Sequence, residues 1–269
     1  MPQNIARKIT NYFDIIAARD VPIDLFNNPF IQRCSKFRIK NLPHGAQKKI
    51  TTHLIKTERI FPFYLNSEDN FQINSNHGSD DKFTHNQDFL LSILTITEKT
   101  FTTYYAQGYT DYKPSHEEIL STILLQHDGA LSIEVPVWTR KKSSLEQFLV
   151  KIDSSNKLSC DFSYSLTGHI DLLLWDTETE CLIIADYKPE GYFLRSLPQV
   201  ATYGLMLEKI LELPRILCLS FNKESAWLYS PHILIEDINP LLSQYGDPPL
   251  NWRKIAKGFE RFYKRGKKF

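Results

Sequence analysis

Three ionisable residues in the middle of the chain stand where folding alone would not place them. Asp171 lies in Gly168-His-Ile-Asp171-Leu-Leu-Leu-Trp175, and Asp186 and Lys188 close Leu182-Ile-Ile-Ala-Asp186-Tyr187-Lys188. Both segments are rich in apolar and β-branched residues and predict strands, while the intervening Asp-Thr-Glu-Thr-Glu has the composition of a turn. Side chains alternate along a strand, so Asp186 and Lys188 point to one side and Tyr187 to the other. Asp171 reaches the same place if the register sets the start of one arm beside the end of the other. A desolvated carboxylate beside an ammonium is costly unless the charges are paired or hold a metal. Two converging carboxylates are hard oxygen ligands suited to a divalent cation. A lysine beside them can orient a water or steady charge developing on a phosphate.

The flanking segments supply the elements that would position this trio. Ser115-x-x-Glu118 has the spacing of a capping box, and Ile119, Leu120, Ile123 and Leu124 form the inward stripe of the helix it opens. His116 stands at that helix start, with His127 on nearly the same face; Glu118 reads as a cap, and Glu117 as cap or ligand. Residues 131–138 read as a strand with Glu134 inside an apolar run, and Pro136 fits an edge or a bulge. Residues 148–152 and 158–165 suggest an additional antiparallel pair. A helix is expected over 196–211, where Gln199 and Tyr203, four apart, share a face. Ser196-x-x-Gln199 is also a capping-box spacing, which would account for Gln199 as a helix-start device. Strands over 215–221 and 226–229 follow.

The ordered set Gly168-x-x-Asp171, Asp186-x-Lys188 and Gln199-x-x-x-Tyr203 resembles the PD-(D/E)XK nuclease superfamily, in particular its RecB-like exonuclease branch, which includes CRISPR-associated RecB-type nucleases. The likeness spans about residues 115–203. It implies an α/β fold with a restriction-endonuclease-like core, in the order αβββαβ, whose central mixed β-sheet is flanked by helices and preceded by an N-terminal extension. It implies hydrolysis of DNA dependent on one or two Mg²⁺ or Mn²⁺ ions, with Asp171, Asp186 and the carbonyl of Tyr187 as metal ligands and Lys188 beside the attacking water. Glu134 and His116 are matched to further ligands, and Gln199 and Tyr203 to a helix that packs beside the metal and holds the strand. The glycine usually found close before the histidine is absent, Gly108 being eight residues away.

Thirty-two Lys and Arg against 31 Asp and Glu leave a net charge of +1, which excludes a globally basic nucleic-acid binder and requires local patches instead. One candidate patch is the run from Arg33 and Lys36 through Arg38, Lys40, Lys48, Lys49 and Lys56 to Arg59; a solvated charged face explains it nearly as well. Another is the basic amphipathic segment 252–269. These bracket an expected division into residues 1–110, a core over 111–232 and a basic helical tail over 233–269. Residues 4–18 have the spacing of an amphipathic helix, 66–86 the composition of a long loop, and 89–105 suggest a helix followed by a strand. Cys34, Cys160, Cys181 and Cys218 form no C-x-x-C pair, so buried reduced thiols are expected rather than disulfides, zinc or an iron–sulfur cluster. No P-loop is present, so a helicase would be a separate partner. No apolar run approaches the roughly 20 residues of a membrane span, and a cytoplasmic location without membrane contact is expected. DNA, as single strands or duplex ends, is the expected ligand. Three readings compete with a RecB-like nuclease: a silent nucleic-acid-binding protein on the same fold, a restriction-type endonuclease, and an interaction protein in which Asp186 and Lys188 are only an ion pair.

Overall fold

In a computed structural model the chain is described over residues 1–29, 31–39, 42–65, 87–108, 113–139, 165–189, 193–213 and 215–243. The expected segments 66–86, 148–152 and 252–269 lie outside these residues, as do Cys160 and 158–164. The architecture is mixed α/β. Helices α1 (Gln3–Ala17), α2 (Ile23–Asn27), α3 (His44–Lys56), α4 (Gln87–Ala106), α5 (His116–Gln126), α6 (Phe193–Leu211) and α7 (Asn239–Ser243) surround one sheet. Its strands are β1 (Gln32–Arg33), β2 (Ile60–Tyr64), β3 (Ala130–Thr139), β4 (Leu166–Asp176), β5 (Cys181–Tyr187), β6 (Ile216–Phe221) and β7 (Ser225–Tyr229), in the order β1-β4-β5-β6-β7-β2, with β3 paired to β4. Among the described residues the order from α5 to β6 is α-β-β-β-α-β.

The expected hairpin is present: β4 and β5 are antiparallel, with Leu172 opposite Ala185 and Asp176 opposite Cys181. The β5–β6 pair is parallel. Parallel pairing beside a hairpin buries both faces, which is why β4 and β5 read as nearly continuous apolar runs. Alternation divides them between two cores. Leu173, Trp175, Leu182 and Ile184 pack with Leu197, Val200, Ala201 and Met206 of α6. Leu172, Leu174, Ile183 and Ala185 pack with α4 and α5 through Leu90, Ile93, Leu94, Ile119 and Ile123. Cys34, Cys181 and Cys218 are buried free thiols.

Two expectations fail. Residues 87–106 are one helix, not helix then strand: Leu90, Ile93, Leu94, Thr97 and Phe101 recur at three- and four-residue steps along its buried face. The threonines that imitate a strand pattern are absorbed locally, Thr97 and Thr100 donating to the carbonyls of Ile93 and Ile96 at 2.7 and 2.8 Å. Nor does α6 begin at Ser196. It begins at Phe193, so Ser196 sits inside, its hydroxyl donating to the Phe193 carbonyl at 3.3 Å, and Gln199 is not a capping residue. By contrast the Ser115 box forms in full: Ser115 Oγ accepts from the Glu118 amide at 3.2 Å and Glu118 accepts from the Ser115 amide at 2.6 Å.

Candidate active site

The site arises where β4 and β5 part. One edge of β4 carries β3 along most of its length. The other carries β5 from Leu172 onward and, in parallel, β1 at Leu166 and Thr167. Among the described residues no strand lies beside 168–171 on that edge, and continuing the ladder by one step sets Asp171 against Asp186. Asp186 faces α6, as Leu182 and Ile184 do, and Asp171 stands where the alternation of β4 breaks, Ile170 packing in the core on the α6 side and Leu172 in the core on the α5 side. Both carboxylates are buried, Asp186 with 1% of its surface exposed.

Each carboxylate is held by a different element. Asp171 Oδ2 accepts from the Tyr187 amide at 3.1 Å and from His116 Nε2 at 3.0 Å. His116 reaches it from the start of α5, on the opposite face of the sheet, with its ring 5.6 Å from that of Tyr187. Asp186 Oδ1 accepts from Gln199 Nε2 at 3.4 Å, and the same nitrogen lies 3.3 Å from Tyr203 Oη. Lys188 Nζ stands 2.7 Å from Asp186 Oδ2, an ion pair off the axis of a hydrogen bond. Gln199 Oε1 is buried with no hydrogen-bond partner.

Gly168 has a definite role in this geometry. A Cβ added there would lie 2.3 Å from Tyr203 Cε1 and 2.9 Å from Tyr203 Oη. The ring of Tyr203 lies directly on the β4 backbone, and only glycine permits that approach.

Burial, then the charge of Asp171, push the Asp186 carboxyl up to about 8, against the pull of Lys188. The hydrogen bond to Asp171 raises the pKa of the His116 imidazole, with desolvation opposing it.

Of the residues singled out in the sequence, Asp171, Asp186, Lys188, Gln199, Tyr203, His116 and the main chain of Tyr187 converge. Glu134 stands at the rim. It occupies edge strand β3 with a left-handed φ of 50°, its side chain is exposed, and its Oε1 is 3.9 Å from His116 Nδ1. That backbone kink turns Ile133 to one core and Val135 to the other. His127 lies elsewhere, against Phe89. Arg59 of the basic run is occupied by Glu236 and Asp237 at 2.5 and 2.7 Å, whereas Lys48, Lys49 and Lys56 are exposed on α3.

Among the described residues no group of three or more His, Cys, Asp or Glu side chains is arranged to hold a metal ion. The donors present nonetheless fit a hydrated divalent ion, because Mg²⁺ commonly keeps several waters and takes only one or two carboxylates. A carboxylate buried against a second carboxylate is the environment such an ion relieves.

Unpaired backbone on β4 opens into a cavity of about 410 Å³ whose floor includes Asp171, Gln199 and Tyr203. Its rim comes from residues the sequence did not mark as a site: Phe26, Arg33, Ser35 and His169. Arg33 appeared there only within a long basic run. Nothing in local spacing ties positions 26 and 33 to position 169.

No protein-family model matches the chain, and no curated protein matches it. Among solved structures, a protein described as SSO0001 aligns with 77% of this chain and 93% of its own at 10% identity, with a TM-score of 0.27, too distant to carry an argument. Among the described residues no helix is long and apolar enough to cross a membrane.

Proposed function

We propose that this protein is a metal-dependent nuclease that hydrolyses phosphodiester bonds in DNA, built on a PD-(D/E)XK core of the RecB-like type. The observation that carries the reading is the convergence of Asp171, Asp186 and Lys188 where β4 and β5 separate, with Gln199 and Tyr203 of α6 against the same point. The α-β-β-β-α-β order from α5 to β6 is consistent with that core. Asp171, Asp186 and the main-chain carbonyl of Tyr187 would hold Mg²⁺ or Mn²⁺, which supplies Lewis-acid stabilisation of the scissile phosphate.

The chain's own residues divide the remaining work. His116 and the Tyr187 amide fix Asp171, and Gln199 fixes Asp186, so neither carboxylate must reorganise during reaction. Lys188, a quarter exposed beside a buried carboxylate, is placed to orient the attacking water and to oppose charge on the phosphate. Exonuclease or end-processing action on single strands or duplex ends is the preferred substrate mode.

The test is an assay on end-labelled single-stranded, blunt and flapped DNA in Mg²⁺, Mn²⁺ or EDTA, with wild type beside Lys188→Ala. The expected result is metal-dependent cleavage, slowed on the order of 10²–10³-fold in the variant. Cleavage that persists in EDTA, or that is indifferent to Lys188, would overturn the proposal.

A further inference from the structure

The cavity beside the carboxylates is walled by a part of the chain that the chemistry above does not use. Helix α2 brings Phe26 to the rim, and its ring lies 5.2 Å from that of His169 on β4. Phe26 also meets the Trp138 ring edge-on at 6.5 Å, which fixes its plane from behind. Strand β1 sets Arg33 alongside, its guanidinium donating to the Phe26 carbonyl at 3.1 Å while remaining exposed. One wall therefore offers a braced aromatic pair, and next to it stands a cation. The floor offers Gln199, 4% exposed, whose buried Oε1 is an acceptor without a partner. About 410 Å³ falls within the roughly 300–1,000 Å³ typical of small-ligand sites.

We infer that this cavity is a subsite for one unpaired nucleotide of a single-stranded DNA end, its base against Phe26 and His169 and its phosphate toward Arg33. The inference rests on the nuclease reading and adds the substrate's form. Stacking on aromatic faces tolerates any base, whereas a base held in a duplex cannot leave its neighbours to enter a walled cavity without first unpairing. An arginine fork beside the stack suits a phosphate oxygen. Gln199 Oε1 would accept from an exocyclic amine or a sugar hydroxyl. The N-terminal segment thus selects strand form, and the β4–β5 junction performs the chemistry.

Binding without turnover tests this directly. Fluorescence anisotropy with a short labelled single strand and the matching blunt duplex, in Ca²⁺, would compare wild type, Phe26→Ala, Phe26→Trp, His169→Ala and Arg33→Ala. Phe26→Ala and His169→Ala are each expected to weaken single-strand binding about tenfold and duplex binding by less than about twofold. Phe26→Trp should restore the affinity. Arg33→Ala should also reduce the salt dependence by about 0.7 in slope, the share of one phosphate contact on a single strand. His169 is exposed on a central strand, so its variant keeps the test open should Phe26→Ala fold poorly. Unchanged preference for single strands in both aromatic variants would overturn the inference even if wild type cuts DNA. A wild type that cuts no DNA would refute the nuclease reading, while the same affinities would still decide the subsite.

Discussion

The two ends of the β4–β5 hairpin both bury carboxylates, and they treat them differently. At the turn, Asp176 is 2% exposed, and its oxygens accept from the Glu178 amide at 3.0 Å and from the Thr179 hydroxyl at 2.6 Å. It is satisfied by the residues that follow it, as an aspartate closing a turn usually is. At the open end, Asp186 has no turn amide or hydroxyl closing on it among the described residues. It faces a second carboxylate, and its partners among the described residues are Lys188, two residues on, and Gln199 from α6. Burial alone therefore does not mark a functional carboxylate. A like charge set against it distinguishes Asp186 from Asp176, and it is on that difference that the proposed role of Asp186 rests.

This contrast gives its largest expected effect in activity. Asp186→Asn should abolish metal-dependent cleavage, whereas Asp176→Asn should keep it and lose about 1–2 kcal/mol of stability from its turn hydrogen bonds, read by urea denaturation. A milder effect should appear in melting temperature. A divalent ion at 100 times its Kd is expected to stabilise wild type and Asp176→Asn by about 2.7 kcal/mol and to leave Asp186→Asn unchanged. A metal-linked shift in Asp186→Asn equal to that of wild type would break the comparison.

Clashes at the close approach rank next. Gly168→Ala should cost about 1–3 kcal/mol, because its Cβ meets the Tyr203 ring against the β4 backbone. Tyr203→Ala should relieve part of that cost in the double variant. The pH dependence of the metal-free protein comes next. The folded state holds the Asp186 proton up to about pH 8 and the unfolded chain releases it near 4, so the folded state binds more protons between these values. Stability should then be greatest near the low end and fall as pH rises toward 8, a slope that Asp186→Asn removes in EDTA. The smallest effect is expected far from the site: Arg59→Ala, which breaks a half-exposed ion pair with Glu236 and Asp237, should cost under about 1 kcal/mol and leave cleavage unchanged.

Much of the site was legible because its parts lie close in sequence. Period-two alternation in β4 and β5 gives the faces of Asp186, Tyr187 and Lys188 directly, and one hairpin register brings in Asp171. Gln199 was ambiguous because Ser196 imitates a cap, and only the start of α6 at Phe193 resolves it. Glu134, matched to a further ligand from the sequence, stands exposed at the rim, where a left-handed backbone interrupts the alternation that sequence reading relies on. The threonines of α4 misled for a related reason, since hydroxyls bonded back along a helix leave the same pattern as a strand with a polar face. The cavity wall was not legible at all. It depends on Gln32 and Arg33 pairing with Leu166 and Thr167, a contact across more than a hundred residues that no local pattern encodes.

The most direct test of the central claim is one cleavage assay on end-labelled single-stranded DNA in Mg²⁺, run on wild type, Asp176→Asn and Asp186→Asn, with each variant's fold checked by circular dichroism. Products are expected from wild type and Asp176→Asn and none from a folded Asp186→Asn. Undiminished cleavage by Asp186→Asn, or none by the wild type, would contradict it.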